Sequence, residues 1–105
     1  METITADQLA EMKENEQSLV IIDVLGEEQF EKEHVPGAIN IPYERVAHEA
    51  LDRFDKEDSI VVYCKNEACT ASPEAAKKLE DLGFKHVYDF ENGIEGWKNS
   101  GRSPE

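Results

Sequence analysis

Ser59-Ile60-Val61-Val62-Tyr63-Cys64 is the stretch on which the fold turns. A short, uncharged run with Ile60, Val61 and Val62 at its centre and polar residues on either side reads as a strand buried on both faces. Such strands belong to parallel sheets covered by helices on either side. Residues 65–70 follow as a loop. Ser72-Pro73-Glu74 then offers an N-cap hydroxyl, a proline at the first helical position and an acid in the first turn. Behind them Ala75, Ala76, Leu79 and Leu82 repeat at helical spacing as far as Gly83. The order is strand, cysteine, loop, helix.

Working outward, the same aliphatic signature recurs at residues 19–24, ended by Gly26, and a last strand is expected at His86 to Phe90. Asn92-Gly93 reads as a turn into a helix over residues 94–99, anchored by Trp97. Thr5-Ala6-Asp7-Gln8 has capping-box spacing, and Leu9 with Met12 carries a first helix to about Asn15. Residues 27–32 predict a short helix turning Phe30 inward, and His34-Val35-Pro36-Gly37 a turn into a brief strand over residues 38–41, stopped by Pro42. Val46, Ala50 and Phe54 mark a helix between Glu44 and Arg53. The alternation predicts one α/β domain over residues 1–105, a three-layer sandwich around a mostly parallel sheet of about five strands, with 101–105 as a loose tail.

Composition narrows the function. With 24 acidic against 11 basic residues the chain carries a formal charge of −13, so nucleic acid and anionic membrane surfaces are poor partners. No apolar run approaches the length of a membrane span, and acids at Glu2, Asp7 and Glu11 stand where a signal peptide would be basic and then apolar. A cytoplasmic location is expected. There is no glycine-rich phosphate loop, no Ser/His/Asp arrangement and no two-pair cysteine pattern, so neither a cofactor nor a metal is expected.

Cys64 and Cys69 are the two cysteines, too few for a disulfide framework, and they read as chemistry or core. Cys64 stands beyond the carboxyl end of a parallel strand, where α/β sheets bind ligands. Loop amides can converge there, and the following helix points its positive end back at the loop, so a thiolate is favoured. The helix end supplies only about 0.3 to 1 kcal/mol, so most of any activation falls to the amides. Lys65 adds a positive charge that Glu67 opposes. Cys69, five positions on, is within conceivable reach of Cys64 for a disulfide or for attack on a persulfide; an incidental packed cysteine is the other reading. Asp23 and His34 read as hydrogen-bonding partners of nearby backbone.

The ordered set Ile22-Asp23-Val24, Glu27-Glu28-Gln29-Phe30, His34-Val35-Pro36-Gly37-Ala38-Ile39-Asn40-Ile41-Pro42, Val61-Val62-Tyr63-Cys64, Ala75-Ala76, Leu82-Gly83-Phe84 and Gly93 through Trp97 resembles the rhodanese-like family over nearly the whole chain. The resemblance implies an α/β fold. It also implies a cysteine, by position Cys64, that takes sulfur from a small donor or a protein persulfide and passes it to a thiol acceptor. Cys64 and Cys69 are then the candidate catalytic residues, and Lys65, Asn66, Glu67, Ala68 and Thr70 the candidate substrate-binding residues.

The family's loop usually carries a glycine and an Arg-Ser pair. Here it runs Cys64-Lys65-Asn66-Glu67-Ala68-Cys69-Thr70-Ala71-Ser72; counted from Cys64, Cys69 takes the arginine's place, and counted back from Ala75-Ala76, Ala71 does and the loop is two residues longer, so either count leaves no arginine. Leu25 likewise replaces an arginine that often follows the Asp-Val pair, and Asn92 a glycine before Trp97. Weak use of a free dianion such as thiosulfate is therefore expected. Two other functions are weighed against sulfur transfer. One is a non-catalytic binding module on the same fold; the other, an oxyanion reductase or phosphatase, needs an arginine clamp that this loop lacks.

Overall fold

The computed structural model describes residues 1–105. Its elements in chain order are β1 (Glu2–Thr3), α1 (Ala6–Asn15), β2 (Val20–Asp23), α2 (Glu27–Lys32), β3 (Ile39–Asn40), a 3-10 turn (Tyr43–Arg45) leading into α3 (Val46–Arg53), β4 (Ser59–Tyr63), α4 (Ala71–Asp81), β5 (His86–Phe90) and α5 (Gly93–Asn99). All five strands are parallel, in the order β1-β5-β4-β2-β3. The expected α/β class and five-stranded sheet are what the chain forms. No helix is long and apolar enough to cross a membrane.

Side chains alternate across a strand, so the central β4 feeds two cores. Ile60, Val62 and the following Cys64 pack with Val46 and Ala50 of α3 and Ala75, Ala76 and Leu79 of α4. Val61 and Tyr63 pack on the opposite face with Leu9 of α1 and Ile94 and Trp97 of α5. This two-sided burial is why β4 is apolar from Ile60 to Tyr63 and gives no alternating pattern.

The chain leaves β2 toward β3 on one side and leaves β4 toward β5 on the other. The sheet therefore changes direction between β2 and β4, whose last residues, Asp23 and Tyr63, lie in register. Open α/β sheets form a ligand crevice at such a switch point. Cys64 is the first residue beyond it.

One local expectation is corrected, and two features add to the sequence pattern. The two-residue β1, pairing Glu2 with Tyr88 and Thr3 with Asp89, is an element the sequence pattern did not reveal. Helix α4 begins at Ala71, so Ser72 lies inside its first turn, and Thr70 occupies the N-cap without a side-chain hydrogen bond. At the C-terminal residues 101–105, His34 and Glu105 exchange backbone hydrogen bonds of 3.1 and 2.8 Å, and Trp97 Nε1 donates to the Ser103 carbonyl at 3.0 Å. The Thr5 capping box is formed as expected, with Gln8 N donating to Thr5 Oγ1 and Thr5 N to Gln8 Oε1.

Candidate functional site

Cys64 has no exposed surface and is bonded to the half-buried Cys69, their Cα atoms 6.5 Å apart. The loop between them also carries hydrogen bonds of its own. The Asn66 carbonyl accepts from Cys69 N at 3.0 Å, and Asn66 Oδ1 accepts from Ala68 N at 3.0 Å, an Asx turn. Two of the loop amides expected to serve an anion at Cys64 are thus engaged within the loop.

The base of the loop is fastened to α5. Ile94 N donates to the Cys64 carbonyl and Glu95 N to the Lys65 carbonyl, both at 3.0 Å. Gly93 makes this approach possible, because its φ is +65° and a Cβ there would collide with the carbonyl groups of Cys64 and Lys65.

Glu95 is a residue that sequence reasoning missed. Its carboxylate accepts from Asn66 Nδ2 at 3.2 Å and stands 4.0 Å from Lys65 Nζ. Glu95, and not the adjacent Glu67, is the acid that pairs with Lys65. Glu67, Ala68 and Thr70 are exposed on the loop, and Glu67 and Ala68 join Asn66, Asn92 and Glu95 around a depression of about 230 Å³.

A larger cleft of about 530 Å³ lies at the switch point, lined by Leu25, Gln29, Lys32, Glu33, Lys65, Ile94, Glu95 and Lys98. Three lysines gather here in a strongly acidic chain. Lys98 pairs with Glu33 at 2.7 Å and Lys65 with Glu95, while Lys32 enters no ion pair. Lys32 and Lys98 are distant in sequence and belong to different helices, so no local motif could have joined them.

Asp23, at the end of β2, is fully buried. Its Oδ1 accepts from Leu25 N at 2.8 Å, as expected of a loop-bonding carboxylate, and its Oδ2 has no partner. Burial pushes its pKa above the usual carboxylate range, against the downward pull of the Leu25 N–H, the Tyr63 hydroxyl and His34. Burial, and then the Asp23 charge, likewise pushes the Tyr63 phenol up, so Tyr63 stays protonated and accepts from Val35 N at 3.0 Å. His34 stacks on Phe30 with ring centroids 3.9 Å apart, and its Nδ1 donates to the Phe30 carbonyl at 2.7 Å.

A second buried acid braces α4 from below. Ser72 Oγ donates to Asp89 Oδ1 at 2.7 Å, with both residues out of solvent. Burial raises the Asp89 pKa and the Ser72 hydrogen bond opposes that rise. Ser72 therefore anchors the helix that follows the reactive loop to β5.

The model of the rhodanese-like domain matches residues 5–100. The chain belongs to the rhodanese-like family. Among its relatives in this family is a protein named thiosulfate sulfurtransferase GlpE from Coxiella burnetii, 34% identical over 80 residues that cover 76% of this chain and 72% of that one. Another is named thiosulfate sulfurtransferase PspE, from Escherichia coli, 42% identical over 67 residues, 63% of this chain and 62% of that one. Among solved structures, the BH2092 protein from Bacillus halodurans superimposes with a TM-score of 0.89 at 30% identity, covering 99% of this chain and 76% of its own. The rhodanese-like domain of the Anabaena protein Alr3790 gives a TM-score of 0.89 at 26% identity, covering 100% of this chain and 79% of its own. Rhodanese-like domains with sulfurtransferase relatives are thus the setting in which Cys64 is read.

Proposed function

We propose that this rhodanese-like chain is a thiol-dependent sulfurtransferase that carries sulfane sulfur as a persulfide on Cys64. The observation that carries the reading is the place of Cys64, immediately beyond the carboxyl end of β4 at the sheet's switch point and next to the lysine-bearing cleft. In the first step the Cys64 thiolate attacks the outer sulfur of a donor. The donor's S–S bond breaks and the donor leaves as a thiolate, or as sulfite when the donor is thiosulfate. In the second step an acceptor thiolate attacks the terminal sulfur of the persulfide and returns Cys64 as a thiolate.

Donor preference follows from charge. A dianion leaving water needs charge-assisted hydrogen bonds worth roughly 1.5 to 3 kcal/mol each, so each missing contact weakens affinity by about one to two orders of magnitude. The loop has no arginine, and Lys65 is partly neutralised by Glu95. A small persulfide or a protein persulfide, with less charge at its reacting end, suits this loop better than thiosulfate.

The test compares turnover of thiosulfate and cysteine persulfide by the reduced protein, with intact mass read in parallel. We expect one added sulfur mapped to Cys64, weak thiosulfate turnover, and loss of both activities in Cys64→Ser. Absence of any sulfur on Cys64 would overturn the reading; strong turnover at low micromolar thiosulfate would overturn its account of the arginine. The complete burial of Cys64 in its oxidised form favours the second reading, a non-catalytic binding module. Slow alkylation of reduced Cys64 at neutral pH, no faster than that of Cys69, would support that alternative instead.

A further inference from the structure

We propose that the Cys64–Cys69 disulfide is an intermediate of turnover, so that the chain releases sulfide from sulfane sulfur using electrons from an external dithiol. This rests on the reading of Cys64 as the persulfide carrier.

The first argument is which atom Cys69 reaches. Its sulfur is bonded to Cys64 Sγ, which in a persulfide is the inner sulfur. Attack at the outer sulfur would only move the persulfide along the chain. When the Cys69 thiolate attacks Cys64 Sγ, the bond from Sγ to the terminal sulfur breaks and the Cys64–Cys69 bond forms. The terminal sulfur departs with the bonding pair as hydrosulfide. Two thiols are oxidised to a disulfide and one sulfane sulfur is reduced to sulfide.

The second argument is that the loop is shaped for this attack by more than the disulfide. The hydrogen bonds from Cys69 N and Ala68 N to Asn66, and from Asn66 Nδ2 to Glu95, connect groups that reduction does not alter. Their donors and acceptors are unchanged when the disulfide is reduced, so the turn that brings Cys69 to Cys64 has its own support. Even a short flexible tether gives an effective concentration of order millimolar. A held loop exceeds that and competes with free thiols for the Cys64 persulfide.

The third argument concerns the return step. Cys64 is fully covered and Cys69 only half-buried, so an incoming thiolate meets Cys69. Attack there breaks the Cys64–Cys69 bond and expels Cys64 as the leaving thiolate. Accessibility alone selects the sulfur that is attacked. The second thiol of the reductant then attacks the mixed disulfide on Cys69 and leaves as a cyclic disulfide. In sum, a persulfide donor and a dithiol give the donor thiol, hydrogen sulfide and an oxidised dithiol.

The experiment mixes the fully reduced chain, freed of reductant, with equimolar cysteine persulfide. Sulfide, intact mass and the site of added sulfur are followed for the wild type, Cys69→Ser and Cys69→Ala. We expect the wild type to release about one sulfide per chain and to end as the disulfide, with both Cys69 variants holding a long-lived Cys64 persulfide and releasing none. Glutathione added to the oxidised wild type should form its mixed disulfide on Cys69. Equal sulfide release by the variants, or a stable persulfide on the wild type, would overturn this inference while leaving the persulfide carrier intact. A glutathione adduct on Cys64 would overturn the return step, and no persulfide in any variant would remove the sulfurtransferase reading as well.

Discussion

Gly93→Ala should destabilise the protein far more than the same change at Gly101, and the difference measures how the reactive loop is fastened. Both glycines have positive φ, +65° and +87°. An alanine forced into that region loses about 1–2 kcal/mol at either place. At Gly101 nothing lies within 4 Å of the added Cβ, so the conformational loss is the whole effect. At Gly93 the Cβ meets the carbonyl groups of Cys64 and Lys65, which accept from Ile94 N and Glu95 N. Moving α5 away to make room weakens both hydrogen bonds, each worth about 1 kcal/mol, so the total reaches about 3–4 kcal/mol. For a domain whose stability is about 5–15 kcal/mol that is a large share. At roughly 5 °C per kcal/mol the fall in Tm should be about 15–20 °C, against about 5–10 °C for Gly101→Ala. Urea unfolding followed by Trp97 fluorescence gives the free energies, and alkylation of reduced Cys64 in the folded variants reports on the loop. Equal losses at the two glycines would refute the claim that Gly93 serves the approach of α5 to the Cys64 and Lys65 carbonyls.

Two further predictions concern the buried acids. Ser72→Ala removes the donor to Asp89 and should lower stability by about 1–3 kcal/mol. The Asp89 pKa, already raised by burial, rises further without Ser72, so the deficit should be larger at pH 7 than at pH 4 in urea unfolding; a deficit independent of pH would count against the pairing. Asp23→Asn should flatten the stability profile above the ordinary carboxyl value of 3.8, because the native state holds its proton to higher pH than the unfolded chain. Wild-type stability therefore falls as pH rises through the raised native pKa, by about 1.4 kcal/mol per unit of elevation. Parallel profiles for wild type and variant between pH 4 and 7 would show that Asp23 titrates normally.

Much of this protein was legible in the residues themselves. The apolar runs at Leu19–Ile22, leading into β2, and at Ile60–Tyr63 in β4 announced strands buried on two faces, hence helices on both sides of a parallel sheet, because only such a sheet excludes water from both faces of a strand. The capping box at Thr5 set the start of α1, since a local hydrogen-bond pair depends on spacing alone. Cys64, directly after β4, stood out as the candidate thiol for the same reason. What the tertiary structure decided concerns groups distant in sequence. The pattern at Ser72-Pro73 suggested a cap at Ser72, yet the buried Asp89 draws that hydroxyl sideways and the helix starts at Ala71. Glu95 as the partner of Lys65 and Asn66, and the cleft shared by Lys32, Lys65 and Lys98, exist only because the sheet order brings α2 and α5 to the same edge of the β2–β4 switch point. Propensity and periodicity act over a few residues, whereas these pairings are set by packing; the sequence could therefore name the cysteine but not the charges and carbonyls gathered around it.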